Sequence, residues 1–259
     1  MVTMWAYMAC HTWQSLSTHS DTPIRLERGN EAFAIAQATS NPVGLAFAAG
    51  ALGAVRLYRR EILAVQENAE FVIALSTRHG LTEVLPLVLA QRGWVLAQHG
   101  RCEEGVRQIQ DVLTGLISNG ASLVLTYVLN LLADACTRIE SLDERQPILT
   151  EAASAAQNLE GRSLEAETLR LKGELLLMQN DRGTAEAQSY FERAIAVARG
   201  QSAKILELRA SMRLARLIEK QGRREEARAM LVEIYGWFTE GFDTADLKDA
   251  KALLEELSN

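Results

Sequence analysis

Proline and cysteine are both scarce in this chain of 259 residues, and each scarcity excludes a class of protein. Four prolines are too few to interrupt helices often, since proline ends or kinks a helix. The three cysteines, Cys10, Cys102 and Cys136, lie far apart and form no CxxC or Cys/His cluster, which argues against a disulfide framework and a zinc site. We expect them to be small buried side chains in a reducing cytoplasm.

Long apolar runs and an excess of positive charge are also missing. No run approaches the roughly 20 apolar residues of a membrane span, and residues 1–13 lack the basic start and cleavage site of a signal peptide. The formal net charge of −6 provides no basic field for nucleic acid or anionic lipid. We therefore expect a cytoplasmic protein whose partners include neither nucleic acid nor membrane.

Motifs of catalysis and nucleotide binding are absent as well. The sequence has no GxxxxGK[ST] loop, no GxSxG elbow and no HExxH pair, and its four histidines are scattered. Gly50-Ala51-Leu52-Gly53 follows no strand, which favours close helix packing over a nucleotide loop. Glu103-Glu104 and Glu225-Glu226 open predicted helices, where negative charge stabilises the helix dipole. These observations predict no enzyme, no cofactor and no metal.

What the sequence does contain is a repeat. Arg92–Gly105 aligns with Leu214–Ala227: each has a small residue in a first helix, a polar turn seven residues later and a second helix that opens with acidic residues. The turn recurs about every 40 residues, as in helical-repeat proteins. The pattern predicts an all-α fold, an α-α solenoid of about six helical hairpins and a C-terminal capping helix.

The bounds of these elements follow from the apolar periodicity and from the positions of Gly and Pro. We predict first helices over residues 2–17, 43–58, 82–98, 121–139, 163–179 and 203–221, and second helices over residues 23–39, 60–78, 102–118, 143–159, 184–199 and 223–238. We predict one solenoid over 1–259, with repeats 1–40, 41–80, 81–120, 121–160, 161–200 and 201–240 and a cap over 243–257.

Small residues recur where each first helix must approach its partner closely, as at Gly93 and Gly173, and large residues such as Phe191 fill the remaining gap. This alternation resembles the tetratricopeptide repeat (TPR), whose usual period is about 34 residues. The helices here are longer, and the proline that usually ends a repeat is missing. The resemblance implies a right-handed superhelix.

Three segments of the C-terminal third carry a more specific resemblance: Arg170–Leu177 (RLKGELLL), Ala187–Ala194 (AQSYFERA) and Tyr235–Lys251 (YGWFTEGFDTADLKDAK). Together they resemble the C-terminal TPR region of bacterial signalling proteins in which a class III adenylate/guanylate cyclase domain is fused to a STAND-type, AAA-like ATPase. The resemblance implies a sensory or autoinhibitory arm whose partner is the upstream ATPase or cyclase domain. The 259 residues contain no such domain, so no nucleotide site is carried over.

The first helices of a TPR-like solenoid line a groove, and this groove is the candidate binding site. Counting from the small position of each repeat gives a set of mixed charge with two aromatics, which suits a peptide, a protein segment or a small polar ligand. A solvated charged face with Trp94 and Tyr127 in the core is the alternative. The set lacks the Lys/Asn pattern that holds chaperone C-termini. The candidate residues are Trp94, Tyr127, Asn130, Asp134, Arg138, Glu167, Arg170, Glu174, Arg209 and Arg216.

The two ends of the chain differ in character. Leu123–Leu132 is nearly all apolar and Met1–Trp13 has no capping signal, so we expect the N-terminal end to dock on another domain or to self-associate. Near the C-terminus, Asp243 is expected to cap a final helix. The aromatic side chains expected to be buried beneath that helix are Trp237, Phe238 and Phe242.

The leading prediction is a non-catalytic TPR module for protein interaction or regulation. The alternative is a small-molecule (inducer) sensor that binds its ligand in the groove, because related STAND regulators with TPR-like superhelices bind inducers.

Overall fold

A computed structural model describes residues 22–118, 122–157, 165–179 and 184–258. Within these ranges the regular structure is helical and no strand occurs, which confirms the all-α class. The predicted helix over residues 2–17 lies outside the described part of the chain.

The twelve described helices agree with the predicted ones to within a few residues. They are α1 (Thr22–Ala38), α2 (Pro42–Tyr58), α3 (Ile62–His79), α4 (Leu85–Gln98), α5 (Cys102–Ser118), α6 (Ser122–Cys136), α7 (Leu142–Gln157), α8 (Glu165–Gln179), α9 (Thr184–Gly200), α10 (Lys204–Lys220), α11 (Arg224–Tyr235) and α12 (Ala245–Ser258).

Local chemistry explains where the helices begin and end. The Asn41 side chain accepts hydrogen bonds from the amides of Val43 and Gly44, at 3.0 and 3.3 Å, and so caps α2. The turns predicted at Gly100 and Gly222 are confirmed: both glycines have φ of +82°, a conformation that side chains with a Cβ rarely adopt.

The helices pack as hairpins, α2 with α3, α4 with α5, α8 with α9 and α10 with α11. The first helices of successive hairpins also contact one another, α2 with α4, α4 with α6 and α8 with α10, and α10 contacts the C-terminal helix α12. The chain divides into two compact units, one over Pro23–Ile148 and one over Leu149–Asn259. Each unit therefore has its own row of first helices.

Small residues set the spacing within the hairpins, as predicted. A Cβ added to Gly93 would lie 2.8 Å from the carbonyl oxygen of Gly105, so α4 and α5 touch backbone to backbone at this point. A Cβ on Gly173 would lie 2.6 Å from the ring of Phe191, which packs across the α8–α9 hairpin. The predicted close packing of Gly50 is also confirmed, since an added Cβ would meet Val84 and Leu87 at 3.2 and 3.3 Å.

Most of the apolar run of α6 lies in the core. Tyr127, Leu129 and Leu132 are at most 2% exposed, and Asn130 is the half-buried exception between residues 126 and 133. The burial of this helix accounts for its composition without a docking partner. The apolar character of α6 is therefore no longer evidence for N-terminal docking.

The C-terminal aromatics depart from the prediction. Phe238 is 7% exposed and belongs to the core, but Trp237 and Phe242 are 48% and 46% exposed, so their predicted burial is wrong. Residues 236–244 form no helix between α11 and α12. Helical periodicity therefore does not determine which of their side chains face the core. The carbonyl of Thr244 accepts the first bond of α12, from Lys248, so Thr244 and not Asp243 occupies the N-cap position.

Cysteine 136 behaves as an apolar core residue, as predicted. Its side chain is fully buried, and burial raises the pKa of the Cys136 thiol to about 12 against the weaker opposing charge of Arg145. Cys102 is only half-buried, and Cys10 lies outside the described residues. No helix among the described residues is long and apolar enough to cross a bilayer.

Candidate functional site

In the first unit, the structure brings together two of the predicted groove residues. The indole nitrogen of Trp94 on α4 donates a hydrogen bond of 2.6 Å to Oδ2 of Asp134 on α6. The side chain of Gln98 donates to the same oxygen at 3.2 Å. Trp94 is only 4% exposed, whereas Asp134 is exposed. Trp94 is thus a buried residue with a satisfied N–H, and Asp134 is the part of the pair that a ligand can reach.

The other predicted residues of this unit do not join that pair. Tyr127 is 2% exposed and belongs to the core, which was the alternative interpretation. The Asn130 amide donates to the carbonyl of Thr126, one turn back in α6, at 2.9 Å. Arg138 is exposed in the turn that follows α6.

In the second unit, four of the predicted residues lie in one network of charges. Glu167, Arg170 and Glu174 share a face of α8, because residues three and four positions apart lie one above another on a helix. Arg170 Nη2 is 2.8 Å from Oε1 of Glu167, and Arg170 Nη1 is 2.5 Å from Oε1 of Glu174. Arg170 therefore bridges two carboxylates on its own helix.

The network continues on the neighbouring first helix α10 and on the C-terminal helix α12. Arg209 of α10 pairs with Asp246 of α12, with Nη2 and Oδ2 2.7 Å apart, and its Nη1 lies 3.9 Å from Glu167. Arg213 of α10 pairs with Glu174 through its Nε. We call these six residues the ion network. It is formed by Glu167, Arg170, Glu174, Arg209, Arg213 and Asp246.

Burial makes these pairs electrostatically strong. Glu167 is 4% and Arg170 8% exposed. Burial alone would raise the pKa of Glu167, but the charge and hydrogen bonds of Arg170, aided by Arg209 and Arg213, hold that pKa below its ordinary 4.5. Burial likewise opposes the charge of Arg170, and its two carboxylate neighbours still raise the Arg170 pKa well above its usual value. Glu167 and Arg170 therefore stay charged near neutral pH.

Sequence reasoning missed Arg213 and Asp246, which complete the network. Arg213 lies four residues after Arg209, and this spacing places both on one face of a helix. No local pattern links Asp246 to Arg209, which lies 37 positions away. The side chain of Arg213 is 45% exposed, so it is the most accessible member of the pairs formed by α8 and α10. Arg216 is half-buried and forms no ion pair with a described residue.

A separate groove of about 580 Å³ lies between α4 and α5. Its walls combine apolar side chains with two arginines, Arg92 and Arg107, and two acids, Glu104 and Asp111. Arg92 donates to the Gln108 side chain at 2.9 Å, which fixes one wall. None of the predicted groove residues lines it.

Comparison with known proteins identifies the fold and no family. No protein-family model and no curated protein sequence matches the chain. The structure of NprR in complex with its cognate peptide NprX aligns with a TM-score of 0.59 at 13% identity, over 99% of this chain and 71% of NprR. The structure of BtubC (BKLC) from P. vanneervenii aligns with a TM-score of 0.51 at 14% identity, over 93% and 94% of the two chains. The chain therefore has an all-α, TPR-like fold of helical hairpins.

Proposed function

We propose that this chain is a non-catalytic binding module that holds a peptide or an extended protein segment against its first helices. The observation that carries the proposal is the ion network, which fixes charged side chains across two neighbouring first helices, α8 and α10, and the C-terminal helix α12. The likeness to NprR, a protein solved with a bound peptide, supports the same use of the fold.

The network suits peptide binding for a physical reason. Side chains that are already held by ion pairs lose little further conformational entropy when a ligand binds. Arg213 is both held by Glu174 and 45% exposed, so it can contact a ligand without first being ordered. In the first unit, Asp134 is exposed while two donors hold one of its oxygens. The two units thus offer fixed groups of opposite charge.

We also propose a biological setting for this chain. We propose one solenoid over residues 1–259 that acts in the bacterial cytoplasm as the sensory or autoinhibitory arm of a cyclase/ATPase system, with the ATPase domain as partner. Support comes from the sequence resemblance of Tyr235–Lys251 and the two shorter segments. A pull-down with a purified cyclase–ATPase protein that lacks its own TPR region tests this setting.

Peptide binding is tested by selecting a phage-displayed library of random 12-residue peptides on the purified chain. Enriched peptides are synthesised with a fluorescent label, and their affinity is measured by anisotropy for wild type and Arg213→Ala. We expect Arg213→Ala to weaken binding at least fivefold. Arg193→Ala is the matched control, because Arg193 is an exposed arginine on the second helix α9. Failure to enrich any peptide would count against the proposed function.

The groove between α4 and α5 favours a second candidate, a small-molecule sensor. Its volume of about 580 Å³ falls within the usual range of small-ligand sites. Thermal shift against a metabolite panel should then show a melting temperature that rises with ligand concentration. Substitution of Leu89 by Trp, which fills the groove, should abolish that rise for a ligand bound there.

Self-association through the N-terminal end is also part of the proposal. The apolar run of α6 no longer supports it, but three apolar side chains of α1 and α3 remain exposed: Ile35 at 62%, Leu63 at 70% and Phe71 at 41%. Phe71 lies beside α1, because its ring packs against Phe33 at a centroid distance of 6.0 Å, and exposed apolar surface is typical of protein contact sites.

A further inference from the structure

The solvent-facing side of α10 is almost entirely basic. Most positions after the first turn are buried, and those that are not include Arg209, Arg213, Arg216 and Lys220. Their spacing of four, three and four residues places them on one stripe along the helix. We call these four residues the basic stripe. Glu219 also reaches solvent but lies 3.7 Å from Arg224 of α11, to the side of the stripe.

The two ends of the basic stripe differ in their partners. At the N-terminal end, Arg209 pairs with Asp246 and Arg213 with Glu174. At the C-terminal end, the side chains of Arg216 and Lys220 form no ion pair or hydrogen bond with a described residue. Arg216 is nevertheless half-buried. A guanidinium without a counter-ion in the protein can pair with a carboxylate of a ligand through its planar set of N–H donors.

We propose that the C-terminal half of the basic stripe binds an acidic peptide segment, with carboxylates on Arg216 and Lys220 and a further contact to the exposed edge of Arg213. This inference rests on the proposed peptide-binding function and specifies its ligand. Arginine binds carboxylates through two parallel hydrogen bonds, so it gives direction as well as charge.

The spacing of Arg216 and Lys220 indicates the spacing of the acidic residues in the peptide. Arg216 and Lys220 are four residues apart on a helix, which corresponds to about 6 Å along its axis. In an extended peptide, side chains two residues apart point to the same side and are separated by about 6.6 Å. The stripe therefore fits an extended segment with acids at alternate positions, written [DE]-x-[DE].

Charge favours a peptide over a nucleic acid. The chain carries a net charge of −6, and Glu174 and Asp246 lie beside the N-terminal end of the stripe. A long polyanion would meet these acids, whereas a short segment with two carboxylates contacts only the unpaired cations.

The composition of the selected peptides tests the inference separately from the proposed function. We expect the pool enriched on the wild-type chain to contain [DE]-x-[DE] at several times its frequency in the unselected library. A pool that binds but shows no acidic bias overturns this inference and leaves peptide binding standing. If no peptide is enriched, both fail.

Charge reversal then locates the site. For an enriched acidic peptide, Lys220→Glu and Arg216→Glu should each weaken binding at least tenfold at 50 mM salt, with Arg193→Glu changing it less than twofold. Lys220 is exposed, so Lys220→Glu should leave the circular dichroism melting curve unchanged. This variant therefore tests the site even if Arg216→Glu proves unstable. If Lys220→Glu and Arg193→Glu weaken peptide binding equally, the proposed site on the basic stripe is wrong. If the chain binds a 12-nucleotide single-stranded DNA more tightly than the peptide, the proposed peptide ligand is wrong.

Discussion

At the scale of single residues, two glycines determine how closely α4 and α5 approach. Gly93 and Gly105 face each other, and an added Cβ on either would press into the backbone of the opposite helix. A backbone atom cannot rotate away as a side chain can, so the helices themselves would have to separate. Gly115, in the same helix as Gly105, has no atom within 4 Å of its Cβ position.

These two positions in α5 give a matched pair of substitutions with opposite expected effects. We expect Gly105→Ala to lower the free energy of unfolding by about 1–3 kcal/mol through overpacking. Gly115→Ala should raise it by about 0.5–1 kcal/mol, because alanine favours the helix over glycine. Urea unfolding followed by circular dichroism measures both. A Gly105→Ala variant as stable as wild type would mean that the two backbones do not touch.

Two adjacent aromatics provide a second matched pair. Phe238 is 7% exposed, so Phe238→Ala should lower the free energy of unfolding by about 3–5 kcal/mol. Trp237 is 48% exposed, so Trp237→Ala should cost no more than about 1 kcal/mol. Thermal unfolding of both variants gives the comparison. Equal destabilisation by the two substitutions would contradict the exposed position of Trp237.

At the scale of helices, the ion network connects α8, α10 and α12 by charge. Arg170 and Glu167 are both nearly buried, so each compensates the cost of removing the other from water. Such a pair adds little net stability but is costly to break, because the partner left behind is a buried, unpaired charge. Its contribution lies in fixing the relative positions of the charged groups on the first helices.

Removal of Arg170 should therefore destabilise the protein in a pH-dependent way. We expect Arg170→Ala to lower the free energy of unfolding by about 3–5 kcal/mol at pH 7. In the wild type the pKa of Glu167 is lowered on folding, so its contribution is present above its ordinary pKa of 4.5 and is lost as the pH falls through the lower folded-state pKa. Without Arg170, burial raises the pKa of Glu167 and the carboxyl can protonate, so the difference from wild type should shrink between pH 7 and pH 4.

Urea unfolding at pH 7, 5.5 and 4 measures this effect, with the double variant Glu167→Gln/Arg170→Met as control. The double variant removes the buried charge as well and should recover part of the stability at pH 7. A difference between Arg170→Ala and wild type that stays constant over this pH range would argue against a buried, ionised Glu167.

At the scale of the whole molecule, exposed apolar side chains and net charge act in opposite directions. Ile35, Leu63 and Phe71 favour association between copies of the chain, whereas the net charge of −6 makes the copies repel one another. Salt screens that repulsion and has little effect on apolar contact. Association through α1 and α3 should therefore be stronger at high salt.

Light scattering after size-exclusion chromatography tests this expectation. The mean mass should rise with protein concentration, and more so at 500 mM than at 50 mM salt. Leu63→Asp, at the most exposed of these positions, should restore the monomer mass. Val232→Asp is the control, because Val232 is 47% exposed in the second unit. A monomer at every concentration and salt level would remove self-association from the proposal.

The sequence by itself determined the features that depend on local periodicity. Helix positions, the turns at Gly100 and Gly222 and the close approach at Gly93 could all be predicted, because helical spacing and the conformational freedom of glycine act over a few residues. Only the tertiary structure decided which groups meet across helices, since Trp94 and Asp134 are 40 positions apart and Arg209 and Asp246 are 37 apart. Packing against neighbouring helices likewise buried Tyr127 and left Trp237 exposed, because burial depends on what lies opposite a side chain and the repeat pattern does not specify this.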